Sequence, residues 1–498
     1  MVFNSMSFLM FFPIVVLVYF LFPKKTRYIW LLVASYYFYM CWNAEYAVLL
    51  LISTASTYFS SLLLEHFRKE DGISKINMKS KATLILCLCI NLGILFVFKY
   101  LNFALSLAVQ AFRLLHFELS VPVFDILLPV GVSFYTFQAI GYLVDVYRGE
   151  IAAEKNFLRY ALFVSFFPQL VAGPIERSSN LLSQIHTPTS FKTENARSGL
   201  LTMAYGLFLK VVIADNINGI INPVFENYRD TNGMHLMLAI ILFAFQIYCD
   251  FQGYSQLAIG SAKVLGFDIR ENFNSPYFAT DVRDFWRRWH MSLNTWFVDY
   301  LYIPLGGGRN LKGKWQKSLN TMIVFFCSGL WHGANMHYVV WGVLNGLYVI
   351  IYDISKTLRN RICQALHIDK TTGGWKVLSG LFTFFLIDFA WLFFRVGIEE
   401  AVYISQRIAT EFDFFSLFYN EIWTVFGDMK TFLAMLLSLA MLGMIDYLRL
   451  KGIDWRKIIF RQQIVCRWAV YVVIILIIIM WGAYGNGYEQ AQFIYFQF

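Results

Sequence analysis

Charge is scarce in this sequence: Asp, Glu, Lys and Arg make up 15% of its 498 residues, against about 25% in an average soluble protein. That shortage excludes an ordinary soluble enzyme. The seven cysteines (41, 87, 89, 249, 327, 363 and 466) are odd in number and show neither zinc nor redox spacing, so neither a disulfide framework nor a protein-bound metal is expected. Residues 1–23 carry no charged side chain. The basic start of a cleaved leader is therefore missing, and the run from Leu9 to Phe22 into Lys24, Lys25 and Arg27 reads as a retained first span. Internal repeats and low-complexity segments are also lacking, and no stretch leaves room for a separate soluble domain. Residues 1–498 are expected to form one integral-membrane domain.

Apolar residues make up 58% of the chain, with 50 Phe, 29 Tyr and 14 Trp, and the mean hydropathy is +0.54. A disordered or fibrous chain has no use for so much apolar surface, so the class that fits is a polytopic all-α membrane protein. The net charge of +9 sits in short loops between apolar runs, where basic residues set topology. No nucleic-acid partner follows from it.

A span needs about 20 apolar residues, and runs of that kind lie near 5–23, 28–42, 46–64, 82–100, 126–147, 157–175, 199–221, 236–260, 377–394, 430–448 and 468–484. The clusters Lys24, Lys25, Arg27 and Arg68, Lys69, Lys75, Lys79, Lys81 place their loops in the cytoplasm and the amino terminus outside. The loop 449–467, with six basic residues against Asp454, leaves the carboxyl end outside as well, which requires an even number of crossings, about ten or twelve. Because Arg270–Lys317 and 351–376 both read as cytoplasmic, residues 318–350 would begin and end on one side. Their 33 residues are short for two full spans at about 1.5 Å per residue. A re-entrant hairpin or two short half-helices around Gly329–Gly333 account for them, the alternative being one long tilted span with one loop misassigned.

His332 lies in that stretch, and an ionisable group in a membrane is a functional candidate by default; the plainer alternative is a neutral histidine bonded to a carbonyl. His290 ends the run Arg283-Asp-Phe-Trp-Arg-Arg-Trp-His290, which either anchors a helix at the headgroups or brings Arg287 and Arg288 to a phosphorylated ligand. Two histidines at one cavity would suit acyl transfer, one taking a hydroxyl proton and the other donating to an oxyanion. His337, about 140° from His332 around a continuous helix, reads as structural. Gly308-x4-Gly313-Lys314 imitates a phosphate loop but continues into Trp315 and lacks a preceding strand. Gln138, Asp145, Gln246, Asp250 and Gln252 either line a tunnel or hydrogen-bond between helices.

At these residues the chain resembles the membrane-bound O-acyltransferase superfamily, in its bacterial branch of alginate, peptidoglycan and cellulose O-acetylation proteins. The resemblance rests on Pro129–Gln138 with Tyr142 and Asp145, on Phe167–Arg177, on Tyr248–Ser255 running through Arg283–His290 to Tyr302–Gly307, and on Leu330–Asn335. These blocks occur in order over a signature core of about 125–350. The resemblance implies a helical bundle with a central tunnel and broken or re-entrant helices. It places the essential histidine at His332 and the second signature histidine at His290. It also implies acetyl-CoA as a donor entering from the cytoplasm, with Arg287 and Arg288 attracting its phosphates, and no permanently bound cofactor.

The segment Phe493-Ile-Tyr-Phe-Gln-Phe498, within a tail of about 486–498, looks like the aromatic terminal motif of such acyltransferase systems. Tyr495 would then accept the acyl group and pass it to an SGNH-type partner transferase outside a bacterial inner membrane, for a polysaccharide acceptor. The alternative for the motif is an aromatic anchor at the interface. Rival functions are D-alanyl transfer to teichoic acid from a carrier protein, a polysaccharide or lipid transporter, and a catalytically silent scaffold.

Overall fold

The computed structural model describes residues 1–70, 77–117, 121–122, 124–307, 313–413, 415, 422–484 and 493–494. Among the described residues every regular element is a helix, as the unbroken apolar runs require where backbone groups must be satisfied within one segment. Eight helices among them are long and apolar enough to cross a membrane, from Tyr46–Lys69 to Ile464–Trp481, and Met6–Leu21 is a shorter apolar helix. The protein is therefore a multi-pass membrane protein.

Four of the eleven proposed runs, 5–23, 28–42, 126–147 and 157–175, are not among these eight, and two of them show why. The run at 157–175 is broken at Phe166 into Phe157–Ser165 and Phe167–Leu170, neither long enough to span. The run at 126–147 becomes helical only at Val132, after a left-handed Gly131. Hydropathy registers apolar residues but not a broken backbone.

Contacts divide the chain into two compact units, Met1–Met203 with Leu257–Arg270, and Ala204–Gln256 with Glu271–Phe498. The core of the first is the helix Val132–Arg148, most of whose residues are buried. The break at Phe166 leaves the Phe163 carbonyl without its helical partner, and amides fill the gap. Gln138 Nε2 donates to it at 2.6 Å and Gln169 Nε2 at 3.1 Å, while Gln169 also donates to Gln138 Oε1 at 3.0 Å. Gln138 is thus a stitch between elements, the second of its two expected roles.

In the second unit, 318–350 takes the first of the expected forms, a hairpin, with arms longer than half-helices. Two helices of 19 residues each, Lys314–His332 and Met336–Ile354, form a hairpin. It is longer than the apolar window because it recruits Lys314–Lys317 at one end and Ile351–Ile354 at the other. Lys317 meets Asp353 at 2.6 Å, which closes the open end with an ion pair. Glycine sets how closely the two arms approach. A Cβ on Gly329 would collide with the Tyr338 carbonyl oxygen, and one on Gly342 with that of Phe325, the small-residue packing that draws helices together in membranes.

Candidate functional site

His332 is the last residue of its helix, not a mid-span residue: Gly333 ends the helix in an extended conformation and Asn335 caps the next. The imidazole is 4% exposed and enclosed by aromatic rings, with Trp331 and Trp341 each at 5.0 Å between centroids and Phe394 at 5.3 Å. His337 lies beyond the helix break, so the angular argument that separated it from His332 does not apply. Its Nδ1 nevertheless pairs with the Phe393 carbonyl at 2.9 Å, a structural role.

His290 stands at the turn between the helices Val282–Arg288 and Met291–Phe297, with φ of 43°. Left-handed backbone is uncommon for a residue with a side chain and costs about 1–3 kcal/mol unless its surroundings fix it. Asn272 and Asn274 do so. Their backbones bond Met291 N–H at 2.8 Å and the Arg288 carbonyl at 3.0 Å. The Asn272 side chain also donates to Ser255 Oγ at 3.0 Å and accepts from Ser292 Oγ at 2.6 Å. The turn aims the His290 ring inward, 5.7 Å from Trp331 and 4.6 Å from Phe251 between centroids. Burial pushes its pKa down to about 3, so the ring is neutral at physiological pH.

Both histidines of the sequence reading thus pack against Trp331. Arg287, in contrast, is exposed, and Arg288 is held by Asp284 Oδ2 at 2.9 Å and the Asn274 carbonyl at 3.3 Å. Tyr495 and residues 308–312 lie outside the described residues. Phe493 and Ile494 are described, and both are buried. Phe493 stacks on Tyr254 at 4.7 Å and meets Phe251 at 6.0 Å. A continuous series of rings therefore leads from Phe493 through Phe251, His290 and Trp331 to His332.

One part of this site went unread in the sequence. Lys210, 4% exposed, lies in a wide π-helical stretch, Phe208–Ala214, the kind of helix irregularity found at functional sites. Its ammonium bridges Asp250 at 2.7 Å and Asp215 at 2.8 Å. The signal was available: a lysine inside an apolar run requires a counter-ion, and Asp215 is the acid five residues on in the same run and Asp250 the acid in the next. Gln246 pairs with Asn218 at 2.8 Å, another stitch. Gln252 is fully buried, and neither of its amide atoms has a hydrogen-bond partner among the described residues.

A cleft of about 610 Å³ lies in the amino-terminal unit and is lined by none of the expected site residues. Its His186 is tied at Nε2 to Glu154, 2.5 Å away, and at Nδ1 to Arg159, 3.0 Å away, a hydrogen-bonded network at the end of a helix.

Comparison with known proteins agrees with the signature blocks. The profile of MBOAT, the membrane-bound O-acyltransferase family, matches residues 150–394, which include both histidines. A "Probable alginate O-acetylase AlgI" of Pseudomonas putida is 32% identical over the full length of both chains. A peptidoglycan O-acetyltransferase of Helicobacter pylori is 34% identical over 78% of this chain and 73% of its own. A teichoic acid D-alanyltransferase of Bacillus subtilis is 26% identical over 45% of this chain and 58% of its own. A matching family profile, an all-helical membrane fold and a relative that aligns from end to end lead to one assignment: the chain belongs to the membrane-bound O-acyltransferase family and is an O-acyltransferase.

Proposed function

We propose that this acyltransferase moves an acetyl group from cytoplasmic acetyl-CoA across a bacterial inner membrane, both ends of the chain lying outside, for O-acetylation of an exported or envelope polysaccharide. The observation that carries the reading is the ring series that connects the tail at Phe493 to both histidines. That series supports the reading that an acyl-accepting tail and a general base share one buried place. Similarity to O-acetylation proteins extends over most or all of the chain, whereas similarity to the D-alanyltransferase covers less than half, which favours acetyl over D-alanyl.

In this mechanism His332 takes the proton of the Tyr495 phenol, whose ordinary pKa of about 10 makes a base necessary. The phenol oxygen attacks the thioester carbonyl carbon, and the developing oxyanion accepts a hydrogen bond from neutral His290. The C–S bond then breaks, the sulfur takes the proton from His332, and CoA leaves as the thiol with the acetyl group as an ester on Tyr495. An extracytoplasmic SGNH-type transferase removes the acetyl group by its own nucleophile, and the phenol is restored. Arg287, being exposed, draws the donor phosphates, with Arg288 contributing less because Asp284 already offsets its charge. A positioned base contributes about 10² to 10⁴ in rate, and one oxyanion donor about 10² to 10³.

The test is polysaccharide acetylation by membranes supplied with labelled acetyl-CoA, comparing wild type with His332→Ala and His290→Gln at equal protein level. Transfer should vanish in the first and fall steeply in the second. Full activity in His332→Ala would remove the base from the scheme, and activity with a D-alanyl carrier donor alone would replace the substrate.

A further inference from the structure

We infer that Asp250, held in place by Lys210, is the docking post that fixes the register of the tail, making it a positioning residue for the acyl-accepting end of the chain. Its purpose rests on the relay reading above; the docking itself rests on geometry alone. The backbone N–H of Ile494 donates to Asp250 Oδ2 at 2.8 Å, while Asp250 Oδ1 faces the Lys210 ammonium at 2.7 Å. One carboxylate thus spans two tasks: one oxygen is fixed by a buried cation and the other by the tail. Such charge-assisted bonds are the stronger kind, and this one is formed where water does not compete.

Two features make the arrangement a seat and not a chance contact. Phe493 fills an aromatic slot between Tyr254 and Phe251, one helical turn beyond Asp250 on the same helix, so side chain and main chain are gripped together. The chain leading to the tail is fastened to the same π-helical stretch that carries Lys210. Ala483 N–H donates to the Val211 carbonyl at 2.9 Å, and Asn216 Nδ2 reaches both the Val212 carbonyl at 3.0 Å and the Trp481 carbonyl at 2.8 Å. The π-turn widens the helix, frees carbonyls that an α-helix would use internally, and so offers Val211 to the incoming chain.

The seat recognises a ring at position 493 and a main-chain N–H at position 494, and it is indifferent to the side chain of Ile494 as a hydrogen-bonding group. Slippage by one residue would exchange the ring for Gln492 or Ile494 and lose the grip. The register of Tyr495 is therefore set by its two predecessors.

Hydrogen exchange of the carboxyl-terminal peptide in the full-length protein, in detergent or nanodiscs, tests the post directly, with label on Tyr495 from labelled acetyl-CoA read in parallel. In wild type the Ile494 amide should exchange about 10- to 100-fold more slowly than in the free peptide, as expected for a bond to a charged acceptor. Asp250→Ala should abolish that protection and cut labelling at least as far, with the affinity for acetyl-CoA unchanged; Ile494→Pro, which has no amide at 494 to follow, should cut the labelling. Asp250→Asn, which keeps an acceptor oxygen, should restore part of both. Should Asp250→Ala fail to fold, Phe493→Ala decides alone, since it empties the aromatic slot, keeps the Ile494 amide and the buried charges, and should still remove the protection. An unprotected wild-type tail, or protection that survives Asp250→Ala or, in its place, Phe493→Ala, would overturn the docking post even with Tyr495 labelled. Protection that follows the pattern above without label on Tyr495 would leave the post standing and sink the relay.

Discussion

The hairpin that ends in His332 depends on two glycines, and replacing one of them gives a graded test of the site's architecture. A methyl group on Gly342 meets the backbone carbonyl of Phe325, with the backbone of Gly329 close behind, so no side chain can swing away to make room. Overpacking of this kind costs about 1–3 kcal/mol, partly offset by the roughly 1 kcal/mol by which alanine exceeds glycine in a helix. Gly443, in the helix Met429–Leu450, has nothing within 4 Å of its would-be Cβ and isolates the second effect. Gly443→Ala should stabilise the protein, and Gly342→Ala should melt below it by about 1–3 kcal/mol equivalent. Gly346→Ala falls between, because the atom it meets first is the flexible Met322 sulfur. Prying the arms apart moves His332 by about 1 Å, a displacement that costs positioned groups about 100-fold in rate. Thermal unfolding in detergent and acetyl transfer by the same preparations give both readings. A Gly342→Ala protein as stable and active as Gly443→Ala would refute the close approach of the two arms and its coupling to the histidine.

Lys210→Met should be among the most damaging single changes, about 3–5 kcal/mol, because it strands Asp250 and Asp215 in the interior without their cation; adding Asp250→Asn and Asp215→Asn should recover most of the loss of melting temperature. Gln252→Leu separates two duties of a buried amide: removing an unsatisfied polar group should leave stability equal or higher, so a fall in transfer rate without a fall in melting temperature marks contact with substrate. His290 carries a pH signature. Its folded pKa lies below the ordinary value of about 6.5, so the unfolded chain binds the extra proton and stability falls as pH drops through 6.5, by up to about 1.4 kcal/mol per pH unit. The melting curve of His290→Gln should be less sensitive than wild type between pH 6.5 and 4.5, and equal sensitivity would contradict the neutral, buried ring.

His332 was singled out as an ionisable side chain within an apolar stretch and His290 as the end of a run of alternating charge and Trp, and the helical class was legible because apolar runs of span length have few other uses. The hairpin was half legible. Loop charges showed that both ends of 318–350 lie on one side, but the helices extend through Lys314, Lys317 and Asp353, and an ion pair between distant residues leaves no mark on local hydropathy. The break at Phe166 was hidden for a related reason: the amides that compensate it, Gln138 and Gln169, come from positions 31 residues apart. Lys210 was passed over because a single charge barely lowers the hydropathy of a 34-residue span. The tail motif was visible, but its seat was not, since Asp250 and Ile494 stand 244 residues apart.

The central claim is that an acetyl group passes from acetyl-CoA to Tyr495 with His332 as base, and one measurement addresses it. Purified wild-type protein, His332→Ala and Tyr495→Phe are incubated with isotopically labelled acetyl-CoA, and the carboxyl-terminal peptide is mapped by mass spectrometry. Label should reside on Tyr495 in wild type and be absent from both variants. An unlabelled wild-type peptide, from protein that still supports polysaccharide acetylation, would contradict the relay, and label that persists in His332→Ala would contradict the base.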